Sequence, residues 1–108
     1  MNQNENKIIA LNTQNVKTTV PQYSGVYLLY SSGTSKYFYV GQAKNLQERL
    51  LQHLSDVETN TCVRNTIRTT VCGFTFIEVN SQSERDRLEK SFYDKFDPTC
   101  NIAKPGGI

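Results

Sequence analysis

Six side chains that could carry out chemistry follow one another along this chain. They comprise two phenols, a guanidinium, an imidazole, a carboxylate and an amide: Tyr27, Tyr39, Arg49, His53, Glu89 and Asn101. Attack of water on a phosphodiester needs a proton acceptor, a group that offsets charge on the phosphoryl oxygens, and a group that stabilises the departing alkoxide. These side-chain types can meet all three needs. The elements that carry them decide whether they meet in space.

Both tyrosines lie in a predicted β-hairpin. Residues 25–30 and 37–40 are rich in aromatic and β-branched residues, and they flank a polar turn with Gly33 at its tip. If the turn is centred on Gly33, Tyr27 lies opposite Tyr39 and both side chains project from one face. Any even register preserves this shared face, whereas an odd register would separate the two rings.

The arginine and the histidine lie on a predicted helix over residues 45–54. Four leucines form its apolar stripe: Leu46, Leu50, Leu51 and Leu54. Arg49 and His53 project beside this stripe, so we expect them at the border of the core. Residues 59–70 form a weaker helix candidate, in which Arg64 and Arg68 share one face.

Glu89 lies on the last predicted helix, which follows a third strand over residues 74–79. A capping pattern of Ser83 and Asp86 predicts its start, and residues 96–98 predict its end because the residue before a proline avoids helical geometry. Its buried face consists of Leu88, Phe92, Tyr93 and Phe96. Glu89 falls within this arc, where a bare carboxylate is costly unless it is paired or bound to a metal.

The predicted elements follow the order β-β-α-α-β-α. This order describes an α/β domain of the α+β type, with a small three-stranded antiparallel sheet flanked by helices. A chain of 108 residues that is 37% hydrophobic and 20% charged fits one globular domain. We assign residues 21–108 to this domain. Residues 1–20 are polar and lack aromatic side chains, which predicts a flexible arm that orders only where Ile8 to Leu11 can pack.

Composition excludes several classes of protein. No apolar run is long enough for a membrane span and the start does not resemble a signal peptide, so we expect a cytoplasmic protein without membrane contact. The cysteines are odd in number and widely spaced, which predicts that Cys62, Cys72 and Cys100 are reduced and structural. A net charge of +2 is too balanced to indicate nucleic-acid binding by itself, although the basic excess lies between residues 36 and 68.

Two tyrosine triplets start a longer motif. Gly25-Val26-Tyr27 and Tyr39-Val40-Gly41 are followed at fixed intervals by the arginine, histidine, glutamate and asparagine named above. This order and spacing resembles the GIY-YIG nuclease superfamily over roughly residues 24–104. The resemblance implies a stand-alone, metal-dependent DNA endonuclease with little sequence specificity of its own.

The resemblance also implies a role for each residue of the first group. Tyr39 would accept a proton from the attacking water, and Tyr27 would assist or orient that water. Unperturbed tyrosine has a pKa of about 10, so a nearby cation must help. Arg49 can supply that charge and also grip a phosphate oxygen. His53 would either hold the phosphate as a cation or act as a second base.

The remaining residues would bind the metal and the substrate. Glu89 would hold a single Mg²⁺ or Mn²⁺ whose other ligands are mostly water, and Asn101 would fix the geometry of that corner. We expect further contacts to the DNA from the end of the hairpin and the second helix: Gly41, Gln42, Lys44, Arg64 and Arg68.

Gln42 departs from the resemblance. Many repair-type members carry a lysine directly after the second triplet, whereas this chain has its lysine two residues later, at Lys44. The departure favours the alternative of a catalytically weakened nucleic-acid-binding module with the same fold. The pairing of Arg49 with His53 is instead similar to the homing-endonuclease and restriction branches, so both DNA repair and a mobile element are open as contexts.

Target choice would come from outside the catalytic core. The residues beyond that core are too few for a separate DNA-binding module, so specificity would come from DNA shape, a partner protein or a second copy of the chain.

Each residue also has a structural alternative. The tyrosines could be core aromatics, and the Glu89 carboxylate could be neutralised by Arg85, four residues earlier on the same helix. His53 could be a hydrogen-bonded histidine without a catalytic duty, and Asn101 could cap its own loop. A purely structural or protein-interaction domain would then result.

Overall fold

The computed structural model describes residues 7–55 and 57–101. Its strands are β1 (Ile9–Ala10), β2 (Gly25–Ser31), β3 (Lys36–Ala43) and β4 (Cys72–Glu78). Its helices are α1 (Thr13–Thr19), α2 (Leu46–His53), α3 (Thr61–Thr69) and α4 (Gln82–Phe96). None of these helices combines the length and apolar character that a bilayer crossing requires.

The strands form one antiparallel sheet in the order β1-β4-β2-β3. The predicted α+β class is confirmed, but the sheet has four strands and not three. The additional strand, β1, pairs Ile9 with Phe74 and Ala10 with Gly73. A strand of two residues is too short to show an alternating pattern, which explains why the sequence did not indicate it. β3 is left as an edge strand, and this edge carries the site described below.

The part of the chain from residue 9 to residue 20 packs onto the domain. Asn12 caps α1 by accepting a hydrogen bond from the Asn15 amide, and Val16 and Val20 are buried in the core. Strand β1, helix α1 and their flanking residues therefore pack on the core through Ile9, Leu11, Val16 and Val20, whereas we expected an arm that orders only where Ile8 to Leu11 can pack. Residues 1–6 of that arm lie outside the described residues.

The hairpin register differs from the expected one, but Tyr27 and Tyr39 still share one face of the sheet. Tyr27 pairs with Gly41, and Tyr39 pairs with Leu29. Tyr27 is therefore diagonal to Tyr39 rather than opposite. This part of the ladder still has an even register, so both rings lie on one face, with centroids 6.1 Å apart. An irregularity between Leu29 and Tyr30 shifts the register only beyond the site.

Helices cover both faces of the sheet. The face that carries Tyr27 packs on residues of α1, α2 and α3, including Val16, Leu46, Leu50 and Val63. The opposite face packs on α4 through the predicted residues Leu88, Phe92, Tyr93 and Phe96. The helix α4 starts earlier than predicted, because Ser81 and not Ser83 is the N-cap, and it ends at Phe96 as predicted. A site that joins α2 to α4 must therefore form around the β3 edge.

A disulfide joins Cys62 to Cys100, which corrects the prediction of three reduced cysteines; Cys72 is free. The two partners are 38 residues apart in sequence, yet their Cα atoms are 5.3 Å apart. The chain after α4 returns along β3, where the Cys100 amide donates to the Phe38 carbonyl at 2.8 Å. The spacing of the cysteines along the sequence could not indicate that Cys62 and Cys100 are close, because their contact depends on the path of the chain after α4.

We expect Cys62→Ser to lower the free energy of unfolding by roughly 2–4 kcal/mol, because a bridge across a long loop restricts the unfolded chain. Urea unfolding with and without reductant measures the effect. Reductant should destabilise the natural protein and the control Cys72→Ser, but not Cys62→Ser. Equal stability of the natural protein in both conditions would contradict the expectation.

Candidate active site

The helix α2 presents Arg49 and His53 to the two tyrosines. Asn45 caps the helix by accepting a hydrogen bond from the Glu48 amide, and Leu46 and Leu50 are fully buried. These leucines fix the rotation of the helix, as the predicted apolar stripe required. His53 lies deeper than expected and is only 2% exposed. Arg49 remains partly exposed.

A buried chain of polar contacts runs from Tyr27 through His53 to Glu58. The Tyr27 hydroxyl lies 2.6 Å from Nε2 of His53. The Nδ1 atom of the same ring contacts the Glu58 carboxylate. The three residues are 1%, 2% and 4% exposed, respectively. Protein groups therefore occupy both nitrogens of the imidazole.

The segment that leads into α3 holds Glu58 in place. The second oxygen of its carboxylate accepts the Asn60 amide at 2.8 Å, and the Arg64 guanidinium donates to the Glu58 carbonyl at 3.2 Å. The Asn60 side chain caps α3 and also donates to the Cys100 carbonyl at 2.9 Å. Sequence reasoning missed Glu58. A loop residue has no periodicity, and only its position five residues after His53 could have drawn attention to it.

Tyr39 lies closer to solvent than Tyr27 and stands beside the same histidine. Its ring meets the His53 ring nearly edge-on, with centroids 5.4 Å apart. Burial raises the pKa of Tyr39, while Arg49 opposes this effect and Glu58 and Glu89 add to it. Burial raises the pKa of Tyr27 further, with Tyr39 adding and Arg49 opposing. Both phenols are therefore protonated at neutral pH in this arrangement.

The imidazole has the opposite shift. Burial lowers the pKa of His53, Glu58 opposes the lowering, and Arg49 adds to it. The ring is therefore neutral at pH 7 and able to accept a proton. Burial works against the charge of Arg49, but Tyr27, Tyr39 and Glu58 together raise its pKa. The guanidinium therefore stays charged beside the two hydroxyls.

The glycines of the two triplets are required because neighbouring atoms lie too close to leave room for a side chain. A Cβ atom on Gly41 would come within 2.5 Å of the Tyr27 hydroxyl oxygen, and one on Gly25 within 2.2 Å of the Ile77 carbonyl oxygen. Tyr27 thus rests directly on Gly41, its partner in the ladder. This contact gives Gly41 a packing role beside the substrate contact that we predicted for it.

We expect Gly41→Ala to destabilise the protein by about 1–3 kcal/mol, because the new methyl group displaces the Tyr27 ring in a packed core. Urea unfolding measures the change. Gly33→Ala is the matched control, since its Cβ would meet the Thr70 side chain at 3.2 Å rather than a buried ring. Equal costs for the two substitutions would contradict this reading of Gly41.

Glu89 reaches the same edge from the other face of the sheet. The Gln42 side-chain amide donates to the carboxylates of Glu89 and Asp86, in both cases at 2.8 Å. Its oxygen accepts from the Gln82 amide at 2.8 Å. Burial raises the pKa of Glu89, Gln42 opposes the shift and Asp86 adds to it. The bond to Gln42 ties Glu89 to β3, the strand that also carries Tyr39, and the Glu89 charge raises the pKa of Tyr39.

Arg85 does not neutralise Glu89. Its guanidinium donates to the carbonyls of Val79 and Asn80 and to the Gln82 side chain. Arg85 is 5% exposed, so these contacts hold it inside the protein. No ion pair to Glu89 is present among the residues that the structure describes. The alternative of a structural salt bridge is therefore not realised.

The surroundings of Glu89 fit a hard divalent cation. Gln42 donates to Oε1, and among the described residues the second carboxylate oxygen accepts no hydrogen bond. Across residues 7–55 and 57–101, no three His, Cys, Asp or Glu side chains gather as metal ligands. A single carboxylate such as Glu89 suits an ion that keeps several water ligands, as Mg²⁺ does. A closed zinc site would instead need four protein ligands.

Asn101 completes the edge of β3. Its side-chain amide donates to the Val40 carbonyl at 2.9 Å, and its side-chain oxygen accepts the Val40 amide at 3.0 Å. Both bonds go to Val40 of the edge strand β3, next to Tyr39. The Asn101 side chain therefore does not cap the backbone of its own loop. The Asn101 side chain thus pairs with the backbone of β3 as a neighbouring strand would. This pairing holds the loop that contains Cys100 beside the site.

The predicted basic contacts differ in exposure. Lys44 and Arg68 are exposed, whereas Arg64 is partly buried and serves the Glu58 carbonyl. A contact of these three residues with substrate stays a prediction. A surface cavity of about 390 Å³ lies at the other end of β3, lined by Tyr30, Lys36, Tyr37, Lys95, Phe96 and neighbouring residues. It includes none of the predicted site residues.

Comparisons with known proteins point to one family of domains. The model of the UvrC-like GIY-YIG domain matches residues 23–102. The UvrABC system protein C of Rickettsia bellii is 36% identical over 86 residues, which cover 77% of this chain and 13% of that protein. The chain thus spans only a small part of the length of that relative.

Solved structures show the same fold. A point mutant of the GIY-YIG N-terminal endonuclease domain of UvrC from Thermotoga maritima, bound to its catalytic divalent cation, superposes with a TM-score of 0.67 at 23% identity. The superposition covers 83% of this chain and 93% of that one. The same domain bound to magnesium gives a TM-score of 0.66 at 25% identity, covering 82% and 93%.

Proposed function

The chain belongs to the UvrC-like GIY-YIG domain family, and we propose on this basis that it is a metal-dependent DNA endonuclease with little sequence specificity of its own. One observation carries the proposal. Arg49 lies beside Tyr27 and Tyr39, whose rings share one face of the sheet, and Glu89 of α4 accepts a hydrogen bond from Gln42 of β3, the strand that also carries Tyr39. A backbone phosphate placed at the edge of β3 would reach a cation, a proton acceptor and a metal ligand together.

Arg49 and Tyr39 would face the phosphate. Arg49 is charged and partly exposed, so its guanidinium can hold a non-bridging oxygen and offset the charge that develops there. Tyr39 is the more accessible of the two phenols, and we assign it the proton of the attacking water. Its raised pKa means that it must pass on its own proton as it accepts one.

His53 would be the final proton acceptor. Its two nitrogens are occupied by Tyr27 and Glu58, so it does not hold the phosphate. In this cluster it is the group with a lowered pKa, and it is therefore in its basic form at pH 7. Tyr27 would connect Tyr39 to His53 and keep the ring oriented toward the site.

Glu89 would hold the divalent ion. When bound, the ion supplies positive charge that stabilises the leaving oxygen. Mg²⁺ fits a single carboxylate supplemented by water, and Mn²⁺ offers the same chemistry. The magnesium-bound structure of the Thermotoga maritima domain supports this choice.

The alternative function is nucleic-acid binding without cleavage. The specific observation that favours it is Gln42, a neutral side chain that bridges Glu89 and Asp86. A lysine in its place would bring a second cation to the edge. We rank this alternative lower because the chain carries the two phenols, the guanidinium, the imidazole and the carboxylate that the proposed hydrolysis uses.

Target choice and biological context follow from the relatives. The curated relatives are C proteins of the UvrABC system, which favours DNA repair over a mobile element. We propose that specificity comes from DNA shape, a partner protein or a second copy of this chain. One site per chain would produce nicks, and two copies would produce double-strand breaks.

Incubation with supercoiled plasmid and branched oligonucleotides, with and without Mg²⁺, tests the proposal. We expect conversion of plasmid to the nicked form only when the metal is present. Binding to DNA at low salt without cleavage in Mg²⁺ or Mn²⁺ would support the alternative. Neither binding nor cleavage would remove both functions.

A further inference from the structure

We propose that Glu58 is a positioning residue of this site: its carboxylate holds His53 in the tautomer whose Nε2 atom accepts the Tyr27 proton, and it stabilises the imidazolium that results. The inference rests on the proposed function for its catalytic consequence. Its structural part, the tautomer of His53, can be tested without any nuclease activity.

The contacts determine which tautomer fits. Glu58 is buried and, when ionised, can only accept hydrogen bonds. The proton of a neutral His53 must therefore sit on Nδ1, the nitrogen that contacts Glu58. This leaves a lone pair on Nε2, 2.6 Å from the Tyr27 hydroxyl. Within the described part of the chain, the Glu58 carboxylate is the acceptor that fixes the proton on Nδ1 and so leaves Nε2 free to accept from Tyr27.

Glu58 is itself fixed by two neighbours. Its second oxygen accepts the Asn60 amide and its carbonyl accepts the Arg64 guanidinium. Since Asn60 also starts α3 and binds the Cys100 carbonyl, the carboxylate is set in a rigid frame. A residue held in this manner can orient the imidazole, as an acid orients a catalytic histidine in other hydrolases.

The proton balance is complete within the cluster. As water attacks phosphorus, its O–H bond breaks while the new P–O bond forms and the bond to the leaving oxygen breaks. The Tyr39 oxygen takes this proton while its own phenolic proton passes to the Tyr27 oxygen, and the original phenolic proton of Tyr27 moves to Nε2 of His53. The resulting imidazolium donates from Nδ1 to the Glu58 carboxylate, so the new positive charge arises next to a negative one.

Nitrogen-15 NMR of the labelled natural protein tests the tautomer directly, because His53 is the single histidine of the chain. At neutral pH we expect a protonated Nδ1 and an unprotonated Nε2. In Glu58→Gln, the amide oxygen can serve Asn60 while its NH₂ group donates to Nδ1, so we expect a rise in the tautomer protonated on Nε2. A natural protein whose His53 carries its proton on Nε2 would overturn the proposal, whether or not it cleaves DNA.

The nicking rate as a function of pH tests the catalytic part. Glu58→Gln should lower the plateau rate roughly 10- to 100-fold. The groups that face His53 are Tyr27 from β2, Tyr39 from β3, Arg49 from α2 and Glu58, with Arg64 of α3 behind Glu58. Glu58 raises the pKa of His53, so its loss should move the acid limb of the profile to lower pH. A merely structural role would lower the rate without moving this limb.

Glu48→Gln is the matched control, because it removes one exposed carboxylate from the helix that carries His53. It should leave the rate, the pH profile and the tautomer unchanged. Glu58→Asp keeps the charge and should recover part of the rate. A natural protein that fails to nick defeats the proposed function alone. Nicking by Glu58→Gln at the natural rate and with the natural pH profile defeats this inference alone.

Discussion

Glu89→Gln is expected to lower Mg²⁺-dependent nicking about 10³-fold or more. A bound divalent ion contributes several kcal/mol to the stability of the transition state, and each 1.36 kcal/mol corresponds to about a tenfold change in rate. The substitution keeps the shape of the side chain but removes the charge that holds the ion. Plasmid nicking over a range of Mg²⁺ concentrations measures the loss.

The same variant should fold normally. The natural carboxylate is partly buried, and its pKa is raised by burial and by Asp86, so its charge does not stabilise the fold. Mg²⁺ at about ten times its Kd should stabilise the natural protein by about 1.4 kcal/mol and so raise its melting temperature. In Glu89→Gln, Mg²⁺ should leave the melting temperature unchanged. Glu84→Gln, an exposed position on the same helix, should keep both the activity and the shift. Retention of the metal-induced shift in Glu89→Gln would place the ion elsewhere.

The sequence predicted the elements that carry strong periodicity. The leucine stripe of α2 and the apolar face of α4 are set by local spacing, and both are present. The shared face of Tyr27 and Tyr39 was also predicted, because it depends only on an even register. Their actual partners, Gly41 and Leu29, depend on the turn geometry and on the irregularity before Tyr30.

What the sequence did not indicate are contacts between distant segments. The Cys62–Cys100 bridge requires the return of the chain along β3, and β1 requires the exposed edge of β4. Glu58 became visible as a site residue only when the loop before α3 was placed over His53. These features share one physical reason: their energy comes from tertiary proximity, which leaves no pattern in neighbouring residues.

The prediction for Glu89 rested on the energetic cost of burying a charge rather than on a residue pattern. A carboxylate within an apolar arc must be paired or bound. The structure places it in a partly buried position, with Gln42 as a neutral partner. The expected competitor, Arg85, instead binds backbone carbonyls at the start of α4. Helical spacing alone could not distinguish these arrangements, because Arg85 and Glu89 are four residues apart in both.

Tyr39→Phe is expected to lower the nicking rate about 10²- to 10⁴-fold, the range for loss of a group that transfers a proton in the transition state. The substitution keeps the ring that packs against His53 and removes only the hydroxyl beside Arg49. Because Tyr39 is only partly buried, the free energy of unfolding should change by less than about 1 kcal/mol. Rates with plasmid and urea unfolding of the same preparation measure both effects.

Two matched variants determine what a loss in Tyr39→Phe means. Tyr30→Phe removes a hydroxyl from the same hairpin, outside the cluster, and should leave the rate unchanged. Tyr27→Phe leaves Nε2 of the buried His53 without its partner, so it should lower both the rate and the stability. Near-natural nicking by Tyr39→Phe, together with an inactive but folded Tyr27→Phe, would assign the water proton to Tyr27. In that outcome the phenol in direct contact with His53 would be the first acceptor, and Tyr39 would serve only to orient the substrate.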